Sequence, residues 1–152
     1  MILNFLPMIK SVFVMSIASK LSLELLIIEN CDELEHIIVD IEDGNGGNNW
    51  GNNVFPKLKV LNVKDCEKLE YIFGHIDASD HHKNHNNDVT HLHLPALKCL
   101  NLRRLPSLTG MCTKHYCTTL PPLTEVVLEC SKVDITSIGD FIVPNYSNKV
   151  PT

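Results

Sequence analysis

The stretch FPKLKVLNVKDCEKLEYIF, residues 55–73, sets narrow limits on how this chain can fold. Its apolar residues Leu58, Leu61, Val63, Cys66, Leu69 and Ile72 fall at intervals of 3, 2, 3, 3 and 3. The central L-x-V is strand spacing, with Leu61 and Val63 on one side and Val60, Asn62 and Lys64 on the other. The 3-3-3 run that follows brings back an apolar residue at each turn, which predicts a tight helical or 3₁₀ return. The ladder recurs as Leu23, Leu26, Ile28, Cys31, Leu34, Ile37, and again as Leu97, Leu100, Leu102, Leu105, Leu108, Met111. A fourth copy begins Leu123, Val126, Leu128, Ser131 and slips by one residue to Ile135 and Ile138. Successive copies start 35, 39 and 26 residues apart.

A period near 25 with L-x-x-L-x-L is the mark of leucine-rich repeats, one strand and one return per coil. No coil can bury its apolar edge alone, so neighbours stack and the ladder becomes continuous. The expected fold is α/β: a leucine-rich-repeat solenoid of about four and a half repeats. Its curved parallel sheet would line the concave side, with irregular, 3₁₀ or short helical returns on the convex side. Met1, Leu3, Leu6, Ile9 and Val12 match Leu100, Leu102, Leu105, Leu108 and Met111 at a constant offset of 99. Residue 1 therefore falls inside a strand and the opening edge is apolar, which reads as a section of a longer solenoid.

The long periods come from two insertions at about 40–54 and 76–91. The first, DIEDGNGGNNWGNNV, is rich in Asn and Gly; the second, IDASDHHKNHNNDVTH, in His, Asn and Asp. Such segments favour turns and loops and offer little to a core. Both leave the ladder at the same phase, as solenoid insertions do. The repeats are expected to fill residues 1–140, with 141–152 as a C-terminal tail.

The net charge of −5, with no basic run longer than Arg103-Arg104, argues against a nucleic-acid partner. No uncharged stretch reaches the roughly 18 residues of a membrane span. The apolar N-terminus has signal-peptide traits, but Lys10 interrupts it, no basic segment precedes it, and the ladder already accounts for residues 1–12. Cys31 and Cys66 share a ladder position that is Leu6, Leu105 or Ser131 elsewhere, which fits a small buried thiol in a reducing compartment. Cys99, Cys112, Cys117 and Cys130 follow no repeat spacing.

His81 and His85, or Cys112 and Cys117 with His115, are possible ligand sets. The first lies in a loop-forming composition and the second matches no common structural spacing, so no metal is expected. The run DGNGGNNWG lacks both phosphate-loop patterns. No nucleophile–base constellation is embedded in a motif, so neither a cofactor nor catalysis is expected.

What remains is surface. The residues alternating with the buried pair face the concave side, and Glu29, Lys64, Arg103 and Glu129 share one position in consecutive coils, with Asn62 and Asn101 beside them. The order is acid, base, base, acid. Adjacent bases do not stabilise each other, so the middle of this line fits a partner carboxylate, which Arg103 can bind in a bidentate way that Lys64 cannot.

The form F/L-P-x-L-K-x-L-x-I-x-x-C-x-x-L-E-x-I, present at residues 55–73, resembles the repeats of plant intracellular nucleotide-binding, leucine-rich-repeat disease resistance proteins. Residues 23–37, with Cys31 and Leu34-Glu35-His36-Ile37, echo it; residues 94–111 do so without the Cys. The resemblance covers roughly residues 1–130. It implies a cytoplasmic, non-enzymatic interaction module for pathogen recognition and autoinhibition. Its partner would be a pathogen effector, a guarded host protein or the receptor's own nucleotide-binding domain. That domain and its phosphate loop lie outside these 152 residues, so no nucleotide is assigned to them. The alternative is a stand-alone or secreted leucine-rich-repeat binding or inhibitor protein.

Overall fold

The computed structural model describes residues 1–41, 53–76, 90–113 and 116–132. In chain order the elements are β1 (Ile2–Asn4), β2 (Ser11–Val14), α1 (Met15–Ala18), β3 (Leu25–Glu29), β4 (His36–Ile41), β5 (Val60–Lys64) and β6 (Tyr71–Ile76). They continue with β7 (Thr90–His93), β8 (Cys99–Arg103), β9 (Gly110–Cys112), β10 (Tyr116–Thr119) and β11 (Glu125–Glu129). The L-x-L segments are β1, β3, β5, β8 and β11, and they form one five-stranded sheet in that order. All of its pairings are parallel and in ladder register, Leu26 with Leu61 with Leu100 with Val126. Leu26, Ile28, Leu61, Val63, Leu100 and Leu102 are buried. Burying each such side chain contributes about 1.5–3 kcal/mol. The segment matched at an offset of 99 also holds its frame, since Leu3 pairs with Ile28.

The returns differ from the helical or 3₁₀ expectation. Leu34 N–H donates to the Cys31 carbonyl (3.2 Å) and Leu108 N–H to that of Leu105 (3.2 Å). The apolar spacing of three is thus one β-turn, and the chain then extends again. The extended segments β2, β4, β6 and β9 make a second parallel sheet, in that order. Behind it lies a third row. Phe55 N–H donates to the Ala18 carbonyl at the end of α1, Val54 N–H to His93, and β7 pairs in parallel with β10. Within the described residues the first four repeats each supply a first-sheet strand, a second-sheet strand and a third-row segment, and the last supplies β11. Parallel sheets with few helices fit an α/β repeat fold.

The third row is what buries the outer side of the second sheet. Phe13 meets Phe55 edge-on at 5.2 Å, and Ile38, Phe73, Cys112, Leu92 and Leu94 join the ladder residues in one core. In sequence, residues 42–52 follow β4 and residues 77–89 follow β6. Trp50, His81, His82, His85, His115, Ile135, Ile138 and the tail expected at 141–152 lie outside the described residues.

The fourth copy needs a correction. Ser131 is exposed, whereas half-buried Cys130 packs on the core with its thiol 3.5 Å from the Leu102 carbonyl. Cys130 stands in register at the position of Arg104, one residue before that of Cys31 and Cys66, and reaches the core from there. At the opposite edge β1 leaves Ile2, Phe5 and Met8 exposed.

Candidate protein-interaction surface

The first sheet has one free face, and the strand period decides what stands on it. Register places Glu29, Lys64, Arg103 and Glu129 in one row across β3, β5, β8 and β11. Ile27, Asn62, Asn101 and Val127 form the row beside it. The alternation thus brings all six sequence-predicted residues to one face. Glu129 is exposed, while Glu29, Asn62, Lys64, Asn101 and Arg103 are half-buried.

The two bases are not equivalent. Lys64 Nζ lies 3.4 Å from Glu29 Oε1. Arg103, although between Lys64 and Glu129 in register, has no carboxylate within ion-pair distance among the described residues. Its Nε is sealed from solvent without a hydrogen-bond partner, and so is the neighbouring Asn101 Oδ1.

Sequence reasoning missed a second polar row at the corner where each first-sheet strand ends. Phe5, Asn30, Asp65 and Arg104 all adopt left-handed backbone, with φ of 54°, 55°, 57° and 51°. Asn and Asp tolerate this region better than Phe or Arg. In each, the N–H donates to the strand-end carbonyl of the next repeat: Phe5 to Glu29, Asn30 to Lys64, Asp65 to Arg103, Arg104 to Glu129. The corner side chains pair as well. Asn30 Nδ2 donates to Asn4 Oδ1 (3.1 Å), and Arg104 donates through Nε and a terminal nitrogen to the two oxygens of Asp65 (2.5 and 2.9 Å). That hydrogen-bonded guanidinium holds the Asp65 carboxyl below its ordinary value, and the carboxylate raises Arg104. An open cleft of about 370 Å³ follows this corner, lined by Asn30, Asp32, Asp65, Glu67, Arg104 and Pro106. The signal available in the sequence was the shared ladder phase of the four corner residues.

Below the corner, Cys31 and Cys66 donate to the Glu29 and Lys64 carbonyls at 3.3 and 3.4 Å. Burial pushes the Cys66 thiol up to about 12, which removes it from nucleophilic chemistry near neutral pH. On β7, His91 is exposed and His93 half-buried. Among the described residues no group of three or more His, Cys, Asp or Glu side chains is placed to hold a metal, and no helix is long and apolar enough to cross a membrane.

Residues 23–135 match the family model described as plant disease resistance protein RPS2-like, leucine-rich repeats. No curated protein and no solved structure matches the chain. The family's repeats act in defence as protein-interaction modules and are generally non-enzymatic. With the ladder, the parallel register and a family match over most of its length, the chain belongs to the leucine-rich repeats of RPS2-like plant disease resistance proteins.

Proposed function

We propose that this chain is a section, about four and a half repeats long, of the leucine-rich-repeat solenoid of a cytoplasmic plant immune receptor. Its role in this reading is to recognise a pathogen effector or a guarded host protein, and to hold the receptor's own nucleotide-binding domain inactive until then. The observation that carries the reading is the polar row on the free face of the first sheet. Glu29, Lys64, Arg103 and Glu129 stand side by side with Asn62 and Asn101, on the kind of extended face that repeat proteins use for binding. Support for a reducing compartment comes from Cys31 and Cys66, free buried thiols at equivalent positions that each donate to a backbone carbonyl.

The test is double charge neutralisation, Lys64→Gln with Arg103→Gln, in the full receptor. Association with the effector or the nucleotide-binding domain is expected to weaken, and cell-death signalling to change, while the melting curve stays put. Unchanged binding and signalling at unchanged stability would reduce these charges to a solubility role.

A further inference from the structure

We infer that Arg103, together with the Asn101 carboxamide, forms a docking point for an acidic side chain presented by a separate protein. The inference rests on the proposed function only in taking the free face of the first sheet as the binding face. Three observations single out this pair. First, the other base of the row is already neutralised, with Lys64 Nζ 3.4 Å from Glu29 Oε1. Second, the adjacent Arg104 shows what a satisfied guanidinium looks like in this fold, a two-point contact to Asp65. Arg103 has no such partner among the described residues.

The third observation is that Arg103 Nε and Asn101 Oδ1 are both sealed from water and unpaired. Buried polar atoms without partners are rare in folded proteins and call for an explanation. The terminal nitrogens of Arg103 are not sealed, so a carboxylate can meet them end-on as a fork. Asn101 Oδ1 accepts only and is sealed in the free chain, so it would take a donor beside the carboxylate once the Arg103 side chain moves toward the ligand. The backbone N–H of an exposed acidic loop supplies both in one segment. The chain's own net charge of −5 disfavours general attraction of acidic ligands, so binding of one would have to be local.

Fluorescein-labelled tetra-aspartate, titrated into the full 152-residue chain at low salt and followed by anisotropy, probes this directly, with tetra-lysine as control. Saturable binding of tetra-aspartate is expected. Arg103→Gln and Arg103→Lys should each lose about tenfold in affinity, since a lysine cannot form the fork. Lys64→Gln should stay within about twofold, and circular dichroism should be unchanged in all three. Failure of tetra-aspartate to saturate would overturn the inference, as would equal losses for Lys64→Gln and Arg103→Gln, or full retention by Arg103→Lys. An Arg103-dependent dimer in sedimentation, without peptide binding, would give the site to a second copy and also overturn it. If the peptide fails while double neutralisation still disturbs the receptor, the binding face stands without this docking point. The converse result would leave the docking point and remove the receptor role.

Discussion

The two main sheets are built from the same repeats, yet their strands are coded differently. First-sheet strands alternate, with buried Leu61 and Val63 between half-buried Val60, Asn62 and Lys64. Apart from the half-buried edge strand β2, second-sheet strands are buried in unbroken runs: Ile37, Ile38 and Val39 on β4; Ile72, Phe73 and Gly74 on β6; Gly110 to Cys112 on β9. The difference follows from what covers each face. One side of the first sheet meets solvent, whereas the second is closed by the ladder on one side and by the third row on the other. Alternation is therefore the signature of a half-exposed strand, and a strand buried on both faces loses it.

If the second sheet is a packed layer, removing its third-row face should cost as much as removing a ladder rung. Phe73→Ala is expected to lose about 3–5 kcal/mol and Leu100→Ala about 2–5 kcal/mol in urea denaturation. A nearly neutral Phe73→Ala beside a costly Leu100→Ala would make the second sheet a loose return. A finer probe is Gly74, where an added Cβ would land on the His36 imidazole, within 2.5 Å of Cγ. His36 stacks on Tyr71 with ring centroids 6.3 Å apart, so it cannot yield freely. Gly74→Ala should cost about 1–3 kcal/mol by the same measurement.

Acid should separate the sheets further, in two windows. Burial holds His36 below its ordinary 6.5, against the opposing pull of Glu35 and Glu70. The unfolded chain then binds that proton more readily than the native one. The contribution of neutral His36 is present above pH 6.5 and lost as pH falls below it. The urea midpoint should therefore drop between pH 7.5 and 5.5, and His36→Gln should flatten part of that drop. The smallest effect belongs to the first-sheet corner. The Asp65 carboxylate, held low by Arg104, contributes above pH 3.8 and fades as pH falls further. Being exposed, the pair should give only a slight midpoint change in Arg104→Gln, confined to higher pH.

The ladder made the first sheet legible because Leu-x-Leu spacing has a single reading when one face is wet. Glu29, Asn62, Lys64, Asn101, Arg103 and Glu129 followed from it at once, since register and face are both fixed by period two. The second sheet was hidden because Cys66, Leu69 and Ile72 carry the same spacing of three whether they lie on a helical turn or on a β-turn leading into a strand. The asymmetry between Lys64 and Arg103 was hidden for another reason. Whether each base captures the acid on its neighbouring strand, Lys64 with Glu29 and Arg103 with Glu129, depends on side-chain geometry between residues 26 or more apart in sequence.

The cysteines tucked under the corners turn the molecule into its own stopwatch. Cys31 and Cys66 are fully buried, and burial raises the Cys66 thiol to about 12, so each should meet an alkylating reagent only when its repeat opens. Labelling rates then report how often each layer breathes. Cys130, half-buried just past the last described strand, should be tagged well before Cys31 and Cys66, which follow strands paired on both sides. Read by mass spectrometry in a receptor at rest and after activation, those tags would say whether signalling loosens the stack from its end or leaves its layers shut.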